Sequence, residues 1–128
     1  MIVLDSSAAV DWLVEYEHGP WVDEQIRGED LHSPHLLDVE VLGVVQRRVQ
    51  RRELSIARAR AILEDLSDLD VARYPHLPLL GRMWELRDNL AATDACYVAL
   101  AELLGARVVT TDLRLARAPG LRVEITAP

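Results

Sequence analysis

The chain has 128 residues, half of them apolar, and a formal net charge of −7. That size and composition predict one globular domain over residues 1–128 with enough core to fold unstapled, and exclude disorder. All 14 basic residues are arginine, which excludes a P-loop, lysine Schiff-base chemistry and a phospho-receiver site with a lysine beside its acids, while the acidic balance argues against an indiscriminate nucleic-acid binder unless cations offset some carboxylates.

The first segment, Met1-Ile2-Val3-Leu4-Asp5, has no basic region and no long apolar run, so it reads as a buried strand over Ile2–Asp5, not as a signal peptide. "SSAAVDWLVE" follows with Val10, Leu13 and Val14 at helical spacing, and Gly19-Pro20 breaks it. "WVDEQIRG" predicts a second short helix ending at Gly28, and "LHSP" a short strand. From His35 to Arg52 the pattern is helical, with Leu37, Val41, Leu42, Val44, Val45 and Val49 on a wide apolar face. Ser55 is the N-cap of another helix through "SIARARAILEDLS". "DVARYP" predicts a strand stopped by Pro75, and "PLLGRMWELRD" a helix followed by a loop through Asn89. A helix from Thr93 to Leu104 stops at Gly105, and a strand over Arg107–Thr111 follows. A turn with Leu113 and Leu115 leads to a last strand, "LRVEIT". Strands alternate with helices throughout, which predicts an α/β fold around a mostly parallel sheet with right-handed crossovers. No apolar run has the length of a membrane span. The lone Cys96, inside an apolar run, suits a small core residue in a reducing compartment, and the expected location is cytoplasmic.

Ligands of such sheets sit beyond the carboxyl ends of strands, where strand order reverses. Asp5 and Asp112 both stand at the end of a predicted strand. Each could be a helix cap, and Ser6 and Ser7 or Thr93 could serve as competing caps near Asp5 and Asp94. Asp94 opens an apolar helix whose dipole favours an acid there, with Tyr97, Val98 and Ala101 on its face. Glu40 has Leu36, Leu37 and Val44 on its own face, where a carboxylate is costly unless paired or bound to metal. Its bland reading is an ion pair with Arg47, with Gly43 leaving room beside it. Four carboxylates brought together raise one another's pKa and need a cation, and an oxygen-only set suits Mg²⁺ or Mn²⁺. The four histidines lack metal-type spacing. Asp88 reads as a loop acid or an outer helper, and Asp38 as outward-facing or a local cap.

"IVLDSSAAV", "DVEVLGVVQRR" and "AATDACYVALAELLGARVVTTDLRLA" resemble, in this order, the PIN-domain ribonucleases, with the greatest likeness to the VapC toxins of bacterial toxin–antitoxin pairs. The third segment is the most specific. The resemblance implies a PIN-like three-layer fold, a central sheet of order 3-2-1-4-5 flanked by helices, with the reversal between the strands that end at Asp5 and Asp112. It maps the acidic quartet onto Asp5, Glu40, Asp94 and Asp112 as catalytic residues and ligands of Mg²⁺ or Mn²⁺, with help from Ser6 or Thr111. Some branches carry another acid or amide just after the fourth acid, where this chain has Leu113-Arg114.

The function so implied is metal-dependent endoribonuclease toxin, cutting RNA by activated water to leave a 5′-phosphate and a 3′-hydroxyl. Arg114 and Arg117 follow Asp112 and are candidate RNA contacts, with Ser6 and Thr111 beside the acids. Arg47, Arg48, Arg51 and Arg52 read either as phosphate contacts or as a solvated helix end. The implied partners are RNA, a VapB-type antitoxin and a second copy in a homodimer, with no membrane. Trp12, Val14 and Trp21 are either core or part of an apolar groove for an antitoxin helix. The competing class is a non-catalytic PIN-like module binding RNA or protein. A phosphatase of the haloacid-dehalogenase type lacks support, because Ser6-Ser7 follow Asp5 without a second aspartate.

Overall fold

A computed structural model describes all 128 residues, Met1–Pro128. Five strands, β1 (Ile2–Leu4), β2 (Leu31–Pro34), β3 (Val71–Tyr74), β4 (Arg107–Val109) and β5 (Ile125–Thr126), form one sheet of order β3-β2-β1-β4-β5. Every pairing is parallel. The α/β class and the 3-2-1-4-5 order hold, and the sheet is wholly parallel. The helices are α1 (Ser6–Leu13), α2 (Gly19–Ile26), α3 (Leu36–Gln50), α4 (Ile56–Asp68), α5 (Leu80–Glu85), α6 (Ala92–Leu104) and α7 (Leu113–Ala116), with a 3₁₀ turn over Leu77–Leu79 before α5. None is long and apolar enough to cross a membrane.

Ile2, Val3 and Leu4 are all fully buried, as expected of a central parallel strand covered on both faces. Buried Ser33 completes this region by donating from Oγ to the Leu4 carbonyl at 3.0 Å. The last strand is shorter than "LRVEIT" suggests. Only Ile125 and Thr126 pair, with Val108 and Val109.

α6 is the most buried helix: Ala95 through Ala101 are all buried, and it packs on β1, β2, β4 and α5. Its alanines allow close approach to the sheet, while Tyr97 and Leu100 fill volume. Gly105, at φ +66°, ends it in the left-handed conformation that a glycine adopts without a Cβ penalty. An ion pair missed in the sequence ties α5 to α6: Arg82 donates from Nε and Nη2 to the two Glu102 carboxylate oxygens at 2.6 and 3.1 Å.

α3 departs from the expected face. Leu37, Val41 and Val45 are buried, whereas Leu42 is 47% exposed. A single stripe at i, i+4 suffices to seat the helix, so the wider apolar face is not all core. Asp38 is neither free nor a cap: both its oxygens receive Arg73 Nε, at 3.0 and 2.9 Å, which joins α3 to β3. The arginines at the end of α3 behave as a solvated helix terminus. Arg48 lies over the Tyr16 ring at 4.1 Å and reaches Glu53 at 3.7 Å, while Arg47, Arg51 and Arg52 are exposed.

Candidate active site

The site lies at the carboxyl edge of β1 and β4. Leu4 is in register with Val109, and the Asp5 amide donates to the Val109 carbonyl at 3.0 Å. The residues that leave these two strands, Asp5 and Thr110, therefore emerge side by side. β2 and β4 flank β1 on opposite sides, so the reversal of strand order opens the crevice here.

Asp5 is 4% exposed. It occupies the N-cap position of α1 without making a side-chain cap. Instead its Oδ2 receives two hydroxyls, from Thr110 at 2.6 Å and Ser7 at 2.7 Å. Ser7 Oγ and Thr110 Oγ1 are 3.0 Å apart. Each hydroxyl has one proton, and both protons go to Asp5, so that separation reflects two donors converging on one acceptor. The hydroxyl oxygens in turn accept backbone amides: Thr111 N–H to Ser7 Oγ at 3.1 Å, and Asp112 N–H to Thr110 Oγ1 at 3.0 Å. Burial pushes the Asp5 carboxyl above its ordinary range and the nearby Glu40 charge adds to this, while Thr110 and Ser7 pull it back. Ser7 and Thr110 were invisible as site residues in the sequence. Their signal was position alone, next to a strand-end acid.

Asp94 sits in the first turn of α6, where the N-cap residue is Ala91 and neither Thr93 nor Asp94 caps the helix. Its carboxyl is also pushed up, first by burial and then by the charges of Asp5, Asp112 and Glu40, with Arg114 opposing. Asp94 therefore lies within electrostatic reach of the other three acids, and Asp5 within that of Glu40. Asp112 does cap: its Oδ1 accepts the Arg114 amide at 2.9 Å at the start of α7. The Arg114 guanidinium also clasps it, Nε to Oδ1 at 3.3 Å and Nη2 to Oδ2 at 3.1 Å, and this holds the Asp112 carboxyl below its usual range. Arg114 itself is 91% exposed. Arg117, on the same short helix end, is exposed.

Glu40 is half-buried on α3 and takes no part in any ion pair, so the alternative of a pair with Arg47 does not hold. The Arg47 guanidinium instead lies along the helix over Gly43, where a Cβ would meet its Nη1 at 3.4 Å. Glu40 Oε1 accepts a 2.6 Å hydrogen bond from the Tyr97 hydroxyl. Burial, then Glu40, drives the Tyr97 phenol far above its ordinary value, with the Ser6 hydroxyl opposing, so it remains a donor. Thr111 enters the site through its amide, which donates to Ser7 Oγ, and Ser6 is the first residue of α1, next to Asp5.

The four acids thus come together from β1, α3, α6 and the end of β4, but not into a closed coordination shell. No three Asp, Glu, His or Cys side chains stand close enough to hold one ion in the positions seen. The chemistry of the set still fits a hard divalent cation: oxygen donors only, with carboxylates that repel one another and would be relieved by positive charge. Asp88 is exposed, and His32 is engaged with the Tyr74 hydroxyl at 2.7 Å. Away from the acids, Trp12, Val14 and Trp21 pack partly buried on the core. That favours the core alternative for these three, and the recess beside Trp12 is acidic, lined by Glu15, Glu17 and Asp23.

A family model described as the PIN domain matches residues 2–121. Ribonuclease VapC12 of Mycobacterium tuberculosis is 39% identical over 125 residues, covering 98% of this chain and 97% of its own. Ribonuclease VapC9 of the same organism is 45% identical over 115 residues, covering 90% and 88%. Among solved structures, Mycobacterium tuberculosis VapC20, described as a sarcin-ricin-loop-cleaving toxin, superposes with a TM-score of 0.73 at 14% identity, covering 97% and 99%.

Proposed function

From a chain that belongs to the PIN-domain family, among its VapC ribonucleases, we propose a divalent-metal-dependent endoribonuclease that acts as the toxin of a toxin–antitoxin pair. The observation that supports this reading is the placement of Asp5 and Asp112 just beyond β1 and β4, where the strand order reverses, beside an Asp94 whose carboxyl is raised first by burial and then by the charges of Asp5, Asp112 and Glu40. A non-catalytic module would have no use for four mutually repelling carboxylates.

Asp5, Asp94 and Asp112 would hold Mg²⁺ or Mn²⁺, with Glu40 joining directly or through water. Such an ion supplies an ionised water at neutral pH and offsets charge on the phosphate under attack. The chain's own residues set the geometry. Ser7 and Thr110 hold Asp5 by one oxygen and leave Oδ1 free of side-chain partners. Arg114, exposed beside Asp112, can turn from that carboxylate to a substrate phosphate. Water adds to phosphorus, the bond to the 3′ oxygen breaks, and the products are a 3′-hydroxyl and a 5′-phosphate. An antitoxin segment docking at Trp12 would meet Glu15, Glu17 and Asp23 and would need cations of its own.

The test is metal-dependent cleavage. Wild-type protein should cut a structured RNA with Mg²⁺ or Mn²⁺ and not with chelator, and Asp5→Asn and Asp94→Asn should abolish cutting. Undiminished cleavage by both variants would end the proposal.

A further inference from the structure

We propose that Tyr97 is a positioning residue: its hydroxyl fixes the Glu40 carboxylate by Oε1 and leaves Oε2 to face the metal or its water. This rests on the ribonuclease reading of the acidic site. Tyr97 is fully buried, the largest side chain in the core to be so, and its 2.6 Å bond to Oε1 has the length of a charge-assisted O–H···O⁻ bond. It is the one side-chain partner Glu40 has, since the Arg47 pair does not form. Oε2 carries no partner within the chain.

The geometry explains why a partner is required. Glu40 extends on a flexible side chain from α3 toward two other acids, Asp5 and Asp94, both of which feel its charge. Repulsion favours swinging the carboxylate out to solvent, and Glu40 is exposed enough for that. A neutral donor from below restrains it without cancelling the charge a cation needs. An arginine would restrain it too, but would compete with the cation.

Tyr97 stands three residues after Asp94 on α6, and so on the same face. One rigid, buried helix therefore delivers both a carboxylate and the hydroxyl that orients a second carboxylate from another helix. The relative placement of Asp94 and Glu40 is built into α6, not left to the rotamers of α3. Core packing needs only the ring; the hydroxyl, costly to bury alone, is accounted for by Glu40.

The experiment compares wild type, Tyr97→Phe, Glu40→Gln and the double variant. Mn²⁺ binding is read by calorimetry without RNA, and cleavage of an RNA oligonucleotide by kcat and KM. Outer partners of ligating groups typically govern 10–100-fold in affinity or rate. Tyr97→Phe should keep the fold, weaken Mn²⁺ about tenfold or more, and lower kcat by a similar factor with KM for RNA unchanged. In the Glu40→Gln background the same change should add nothing. Unchanged Mn²⁺ affinity and kcat in Tyr97→Phe, or losses that multiply with those of Glu40→Gln, would overturn the assignment. If Tyr97→Phe does not fold, Glu40→Asp, which withdraws the carboxylate from the phenol, serves instead: full Mn²⁺ affinity there would also overturn it. Glu40→Gln cutting at the wild-type rate would count against the ribonuclease reading at Glu40. An inactive Glu40→Gln beside a fully active Tyr97→Phe would sink the Tyr97 assignment alone.

Discussion

Thr110→Val probes how the chain keeps a buried carboxylate at Asp5. Thr110 is fully buried, and its hydroxyl donates to Asp5 Oδ2 at 2.6 Å while accepting the Asp112 amide at 3.0 Å. A hydrogen bond to a charged acceptor contributes about 1.5–3 kcal/mol, and the stranded Asp112 amide adds roughly 1 kcal/mol because it is only partly buried and can hydrate. Ser7 still holds Asp5, so the carboxylate is not orphaned. The expected loss is about 3 kcal/mol at pH 7.5 in chelator, or roughly 9–15 °C in melting midpoint for a chain of this size. The pH dependence is the sharper part. Asp5 titrates above its unfolded value, because burial outweighs Thr110 and Ser7. Between the unfolded and folded pKa the native state binds more protons, so Asp5 costs stability as pH rises through that window. Removing Thr110 raises the folded pKa further, so the deficit of the variant should shrink as pH falls from 7.5 toward 4.5. Thermal melts across that range decide it. A deficit under about 1 kcal/mol at pH 7.5, or one equally large at pH 4.5, would refute the reasoning.

Arg82→Ala should cost about 2–3 kcal/mol in urea unfolding, because it leaves Glu102, whose side chain is 11% exposed, without its ion-pair partner. Burial alone would raise the Glu102 carboxyl, but Arg82 brings it below its ordinary value; the wild-type advantage should therefore be full above about pH 4.3 and fade as the pH falls through the folded pKa. Saturating Mn²⁺ at ~100 times its dissociation constant should stabilise wild type by about 2.7 kcal/mol. Asp94→Asn should lose that gain, and a midpoint that still climbs with Mn²⁺ would exclude Asp94 as a ligand. Cys96, buried and with its thiol pushed up to about 11, should resist a disulfide reagent at pH 8 in the native protein and react at once in denaturant.

The order of elements was legible in the chain because each boundary carries local chemistry: Ser55 accepts the Arg58 amide as its position suggests, Gly105 turns left-handed, and the apolar runs at Ile2–Leu4 and Arg107–Val109 become central strands. The candidate acids could be singled out because they stand just beyond strands, in the first turn of a helix or on a helix stripe with apolar neighbours. The details that the sequence left open or missed were those in which two distant segments compete for one group. Glu40 could reach Arg47 by spacing, yet Tyr97, fifty-seven residues away, takes its oxygen. Asp38 read as an outward acid until β3 brought Arg73 to it.

The sequence by itself determined which residues can form strands and helices, that lysine chemistry is absent, and that acids follow the apolar strands. Periodicity and capping act over a few residues, so they survive without the fold. Only the tertiary structure decided that Asp5 is held by Ser7 and Thr110, that Tyr97 holds Glu40, and that Arg114 clasps Asp112. Those partnerships depend on the parallel register of β1 on β4 and on the approach of Tyr97 on α6 to Glu40 on α3, which no local pattern encodes.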